Sequence, residues 1–206
     1  FSFTGGTFTH NEGKVLMQPQ DHGIVMTLGG AAFYNLEINA SNDVYDVAIS
    51  GTGTVRNTLT LTEGTLGAGT NGNLHAKRNI IVGTTMGRNG DGVFDEGGLV
   101  LITGTGSQTV TGYGGSFPAL TIDKTDGTVT FDGTCGVDGP FRYAQGTLDF
   151  TANRSTFILS PQDHGVAANF GSGITFYNVQ LLAGNDQWDS AISGTGTVVY
   201  LLTLTE

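Results

Sequence analysis

Four side chains with hard oxygen ligands lie close together in the segment NGDGVFDEGG, residues 89–98. They are Asn89, Asp91, Asp95 and Glu96. Carboxylate and amide oxygens are the ligands that Ca²⁺ prefers, and the interspersed glycines allow a sharp turn. The spacing departs from an EF-hand loop, because glycine stands where that loop has its first Asp and its bidentate Glu. We expect either a calcium-binding loop or a plain solvated acidic loop here.

The sequence Pro-Gln-Asp-His-Gly occurs twice, at residues 19–23 and 161–165. Neighbouring side chains on a strand point to opposite faces, so adjacent Asp and His residues do not converge on one ligand. We therefore expect a repeated turn in which the Asp bonds backbone amides, with a repeated metal or active site as the alternative.

Three aromatic residues are candidates for stacking on sugar rings. They are Tyr34, Tyr177 and Trp188. Packing at the corners of the fold is the alternative role for these rings. Glycoside hydrolysis would need two carboxylates facing one groove. The available Asp residues lie at repeated strand or turn positions, and the basic residues are scattered along the sequence, so we expect no enzymatic activity.

Composition excludes several classes of partner. The chain has 206 residues, a formal net charge of −10 and only eight Lys and Arg residues. Such a surface repels phosphate backbones, so we expect no nucleic-acid binding. No apolar run is long enough for a membrane-spanning helix, and we expect no membrane insertion. The single cysteine, Cys135, cannot form an intramolecular disulfide, and we expect it to be a small buried hydrophobe.

One text recurs along the chain. AISGTGTV at residues 48–55 returns at 191–198, and FYNLEINASND at 33–43 returns as FYNVQLLAGND at 176–186. A diverged copy, residues 116–148, lies between them. We divide the chain into three copies and one insert. The copies span about 1–66, 99–148 and 149–206, and the insert spans about 67–98.

Each copy contains short runs that alternate apolar with polar residues, which is the period of a strand with one buried face. Gly, Asn, Asp and Ser separate these runs at expected turns. A single copy has too few large apolar residues to close a core, so neighbouring copies must stack. The sequence predicts an all-β fold, a parallel β-helix (β-solenoid) over residues 1–206. Tandem antiparallel β-sandwiches are the alternative.

The repeat text FYNLEIN, then V-x-I-x-G-T and L-T-L-T-x-G-T-L, resembles that of secreted bacterial and archaeal surface proteins of the parallel β-helix type. These include adhesin-like and autotransporter-like proteins. The resemblance implies an extracellular or cell-surface structural module. A carbohydrate-binding module or a polysaccharide-active β-helix enzyme is the alternative function. Calcium is the one cofactor that the sequence suggests.

The two ends of the chain share one phase of the repeat. FSFTGGTF at residues 1–8 aligns with LTLTEGTL, and the chain ends on LLTLTE. Uncapped strand edges are templates for another chain. We expect head-to-tail contact between copies, or continuation in a longer polypeptide. The expected contact residues are Phe1, Phe3 and Phe8 at one end and Leu202 and Leu204 at the other.

Overall fold

The computed structural model describes residues 1–19, 23–40, 46–68, 72–87, 99–160, 167–182 and 191–205. Every pairing between strands in these ranges is parallel, and the strands stack as successive coils of a β-solenoid. The predicted fold is confirmed, and the sandwich alternative is not. The described residues contain no helix, hence none able to cross a membrane.

Within the described ranges, fourteen strands make up one sheet system. They are β1 Lys14–Met17, β2 Ile24–Thr27, β3 Ala32–Asn39, β4 Asp46–Ser50, β5 Thr52–Ala68, β6 Asn73–Ala76, β7 Ile80–Met86, β8 Leu99–Ile102, β9 Gln108–Phe117, β10 Ala119–Val137, β11 Phe141–Asp149, β12 Thr156–Leu159, β13 Ala167–Leu182 and β14 Ala191–Thr205. The longer strands bend around corners, so one strand contributes to two or three faces. Strands β6 and β7 belong to the same sheet system, although they fall within the expected insert 67–98.

Each coil has three faces, which the chain visits in the fixed order A, B, C. Face A comprises β2, β4, β12 and the segments 65–68, 116–117, 134–137, 178–182 and 201–205. Face B comprises β6, β8 and the segments 32–33, 52–55, 119–122, 141–143, 167–169 and 191–193. Face C comprises β1 and the segments 35–38, 58–61, 80–82, 108–111, 129–132, 147–149, 174–176 and 196–198. These assignments follow from the register between neighbouring coils.

Inward side chains stack on one another from coil to coil. On face C, Leu36 pairs with Leu59 and Leu59 pairs with Ile80, so successive coils there have nearly equal lengths. The next step, from Ile80 to Val110, is longer because it includes the segment 88–98. The buried side chains form one continuous core cluster, in which Phe131 and Phe150 stack with ring centroids 4.1 Å apart.

The repeated text does not return to the same face. Leu36, Leu120 and Val179 occupy matching positions in the three copies, and all three are buried. They lie on different faces, however: Leu36 on C, Leu120 on B and Val179 on A. The sequence distance from one copy to the next is therefore not a whole number of coils. The matching text predicts equivalent inward sites for Leu36, Leu120 and Val179; all three point inward, but the prediction of equivalent sites is wrong.

The repeated text corresponds to a corner, where the chain turns from one face of the coil to the next. Its glycine appears as Gly51, Gly133 and Gly194, with φ values of +73°, +76° and +86°. Gly51 joins face A to B, Gly194 joins B to C, and Gly133 joins C to A. Positive φ is readily available only to glycine. One strand–glycine–strand unit thus supplies all three corners of the coil.

We expect a charge at an inward position to unfold the stack. Leu120 is fully buried between Val100 and Phe141 of the adjacent coils. Leu120→Asp buries an unpaired carboxylate and should lower the free energy of unfolding by about 4 kcal/mol. The matched control is Thr121→Asp, which points outward beside Arg142 and should change it by less than about 1 kcal/mol. Urea denaturation measures the free energy of unfolding of both variants. Similar losses of stability in the two would contradict the assignment of Leu120 as inward and Thr121 as outward.

We expect the corner glycines to resist substitution. A Cβ on Gly133 would overlap the carbonyl oxygen of Gly112 in the preceding coil, and its φ is positive. Gly133→Ala should therefore cost about 2 kcal/mol or more, from backbone strain and steric conflict together. Gly67→Ala is the control, because a Cβ there meets nothing within 4 Å and φ is not positive. Thermal unfolding of both variants would refute the expectation if the two midpoints agreed.

Candidate functional site

Basic residues gather where face B turns into face C. In this corner, the residues that follow the last apolar position of face B are Tyr34, Arg56, Lys77, Thr103 and Asp123. The preceding residues pair from coil to coil, so these five side chains form one row along the solenoid. Three cations of this corner, Arg56, Lys77 and Arg78, are therefore neighbours in two successive coils.

A shallow groove of about 360 Å³ lies along this corner. Its lining consists of Arg56, Lys77, Arg78 and the segment 103–106. None of these lining residues is a carboxylate. A second hollow of about 330 Å³ adjoins the groove, because Arg56 lines both. That hollow is bordered by residues 7–12, which include Glu12.

A buried ammonium group supports the groove from behind. Lys124 is 1% exposed, and its Nζ donates hydrogen bonds to the carbonyl oxygens of Gly104 and Gly106, both at 2.8 Å. Its third bond, of 2.6 Å, goes to Oε1 of Gln108. Gln108 Nε2 in turn donates to the carbonyl oxygen of Arg78 at 2.8 Å. The backbone of the groove is thus fixed by a saturated hydrogen-bond network that spans three coils.

The groove carries uncompensated positive charge. Among the described residues, the one ion pair is that of Lys14 with Glu37, so Arg56, Lys77 and Arg78 have no carboxylate partner there. Burial lowers the pKa of His75, and the nearby charge of Lys77 lowers it further. Burial likewise lowers the pKa of Lys124; Asp126 opposes this shift, and Lys77 adds to it.

Acidic residues bound this positive segment at both ends. Asp123 and Asp126 follow in the next coil, and Asp123 accepts a hydrogen bond of 2.7 Å from Gln145. Glu12 lies on the other side, in the adjoining hollow. With strands about 4.8 Å apart, the stretch from Arg56 to Thr103 is about 10 Å long.

The sequence analysis did not single out these cations, since the basic residues are scattered along the chain. A signal was present: Arg56 and Lys77 each follow the last apolar residue of a short alternating run. Their separation in sequence equals one coil of the solenoid, a length known only from the register.

The candidate sugar-stacking residues are not brought together. Tyr34 lies in the corner just described, half-buried, with its ring 5.6 Å from that of His10. Tyr177 lies near the opposite end of the solenoid, where it stacks on Tyr200 at 5.3 Å and 10°. Trp188 lies outside the described residues. Of the two members that the structure describes, Tyr34 is the one next to the basic groove.

The expected contact residues at the C-terminal end are exposed. Leu202 belongs to a row of inward residues whose exposure rises from 0% at Phe157 and 3% at Val179 to 51% at Leu202. Leu204 is 68% exposed. These side chains have the direction of core residues but lack a following coil to cover them within the described chain.

The N-terminal end is partly closed by aromatic rings. Phe8 packs against Phe1 and Phe33, with centroids 5.8 and 5.5 Å apart, and Phe3 also contacts the core cluster. Ser2 forms a single bridge with Thr27, the last residue of β2. Two backbone hydrogen bonds of 2.8 and 2.9 Å hold Phe1 and Phe3 to Thr27.

The calcium candidates Asn89, Asp91, Asp95 and Glu96 lie outside the described residues, so calcium binding stays a prediction. So do both Asp-His pairs of the repeated Pro-Gln-Asp-His-Gly. In the described ranges, no three His, Cys, Asp or Glu side chains are grouped as a metal site would require.

Cys135 is buried in the core, at 2% exposure. Burial raises the pKa of its thiol from 9.0 to about 12, and the carboxylate of Asp132 contributes to the shift. A thiol that stays protonated and inaccessible is a poor nucleophile. The position therefore matches the expected role of a small hydrophobe.

We expect Cys135 to resist alkylation in the folded protein. Because the folded state holds the thiol proton more tightly, its stability should fall as pH rises from 9.0 towards about 12. Iodoacetamide at pH 8 should label Cys135 slowly in buffer and rapidly in denaturing urea, as measured by mass spectrometry. Equal labelling rates in the two conditions would show that the thiol is accessible in the folded state.

Comparison with protein-family models, with characterised proteins and with solved structures yields no match for this sequence.

Proposed function

We propose that this protein is a non-enzymatic structural module of a cell-surface fibre or adhesin, and that its copies join head to tail. The observation that carries the proposal is the open C-terminal coil, in which Leu202 and Leu204 expose core-type surface. An exposed strand edge with apolar neighbours is a template for further pairing. The occupant we assign to this end is the N-terminal end of a second copy or, in a longer polypeptide, the next coil of the same chain.

The faces found at the two ends restrict how the copies can join. Ser2 and the segment 201–205 both belong to face A. In the fixed order A, B, C, a coil that ends on face A must be followed by face B. If 201–205 stacked on residues 1–3 of the next copy, faces B and C would each lack one strand at the joint. Ile192 and Val198 would then remain uncovered.

Strand replacement removes this gap. In such a joint, the segment 201–205 takes the place of residues 1–3 and pairs with β2 of the next copy. Inward residues then meet inward residues, because Leu202 and Leu204 have the same two-residue spacing as Ile24 and Met26. The displaced segment pairs less extensively than its replacement would: residues 1–3 make one bridge with Thr27 and pack Phe1 and Phe3 on the core, whereas β2 offers four residues.

Electrostatics permits this joint. Neither β2 nor the segment 201–205 contains a charged residue, so the new pairing brings no like charges together. The contact is heterologous, with a different surface on each copy, and repetition along the solenoid axis generates a filament instead of a closed ring. Each joint adds main-chain hydrogen bonds, as in other cases of strand addition.

An extracellular location is part of the proposal. It is supported by the resemblance of the repeat text to that of secreted surface proteins. It is also supported by a composition rich in acidic and poor in basic residues, which favours solubility. Stiffness would come from repetition, since each coil adds a ladder of hydrogen bonds and a layer of core.

We expect assembly to depend on the inward residues of the last coil. Leu204→Lys places a charge in the joint and should abolish filament growth. The matched control is Thr203→Lys, the outward neighbour on the same strand, which should leave growth unchanged. Sedimentation and negative-stain electron microscopy at increasing protein concentration measure the outcome.

Removal of residues 1–4 distinguishes the two kinds of joint. Strand replacement predicts that this deletion frees the edge of β2 and accelerates assembly. Stacking on residues 1–3 predicts that the deletion prevents it. A wild-type protein that stays monomeric at high concentration would overturn the proposal of head-to-tail assembly.

A further inference from the structure

We propose that the groove between faces B and C binds a short acidic carbohydrate through Arg56, Lys77 and Arg78. The carbohydrate would carry carboxylate or sulfate groups. This site is independent of the chain ends, so it is a second role beyond the proposed structural one.

The distribution of charge around the groove favours an anionic ligand. The chain has eight basic residues and a net charge of −10, yet three cations without an ion-pair partner in the described chain converge on one groove. Lys124 adds a fourth positive charge directly behind the wall formed by Gly104 and Gly106. Guanidinium groups bind carboxylate and sulfate oxygens through paired hydrogen bonds, which a neutral sugar cannot accept as strongly.

The groove is built in advance of any ligand. Its backbone is fixed by the buried network of Lys124 and Gln108, so binding need not order a loop.

The length of the positive segment favours a short ligand. Asp123 and Asp126 on one side and Glu12 on the other limit it to about 10 Å, the width of three coils. A long polyanion such as a nucleic acid would extend onto the acidic remainder of the surface, where it is repelled. Tyr34 lies one coil before Arg56 in the same corner, with its ring 5.6 Å from that of His10, and aromatic rings suit sugars.

The test uses a galacturonate trisaccharide as the anionic probe and its methyl ester as the neutral one. Isothermal titration calorimetry should detect saturable binding of the acid form at one site. Arg78→Gln should weaken this binding about tenfold or more, because a charge-assisted hydrogen bond is lost. The control Arg142→Gln makes the same charge change on face B, away from the groove, and should leave the affinity within about twofold.

Four results would overturn the proposal. Equal binding of the acid and the methyl ester would show that charge does not select the ligand. Equal weakening by Arg78→Gln and Arg142→Gln would indicate diffuse attraction and not a site. Full competition by equimolar sodium sulfate, or tighter binding of a short single-stranded oligonucleotide, would assign the groove to a simple anion or to nucleic acid. Arg56→Gln, with circular dichroism as a folding check, gives an independent second variant.

Discussion

The structure depends on one constraint, which is that parallel coils must stack in register so that every inward side chain meets another inward side chain. A parallel ladder with a two-residue period fixes this, because a slip by one residue would exchange the buried and exposed faces of a strand. The row from Leu36 through Leu59 to Ile80 shows the constraint satisfied by similar residues. The pair Phe131 and Phe150 shows it satisfied by ring stacking. No disulfide is needed, and the buried Cys135 simply occupies a place in the core.

The alternation of apolar and polar residues was enough to predict strands and buried positions, because burial on one face is a local property. The parallel solenoid was predicted from a second observation, that one copy has too few large apolar residues to close a core alone. The phase of the repeats was not predictable in the same way. Leu36, Leu120 and Val179 match in the text but lie on three faces, since the face depends on the summed length of all intervening coils. The corner glycines explain the discrepancy. Gly51, Gly133 and Gly194 have similar positive φ values at three different corners. A similar sequence therefore indicates a turn, but it does not indicate at which corner of the coil that turn lies.

Outward residues at the corners do not have to stack on apolar neighbours, so they can be charged. This explains the basic composition of the groove. Inward positions such as Val55 and Ala76 are restricted to apolar residues, whereas the residues after them, Arg56 and Lys77, project outward. The register then places one coil's corner beside the next, so residues one coil apart in sequence become neighbours. A basic cluster could therefore not be recognised until the coil length was known. Lys124 is the exception: its stem is buried, and its charge is compensated by carbonyl oxygens instead of a carboxylate.

The same constraint is met differently at the two ends of the described stack. At the N-terminal end, Phe8 covers Phe33, and residues 1–3 occupy the edge of β2 through one bridge and the packing of Phe1 and Phe3. At the C-terminal end, inward residues with the same character, Ile192 and Leu202, are about half exposed. One end therefore has a short covering segment and the other has a strand of the matching face. Because the chain visits its faces in a fixed order, a continuous ladder across a joint requires that the segment 201–205 of one copy displace residues 1–3 of the next from the edge of β2. Contact alone, without that exchange, would leave two faces of the joint incomplete.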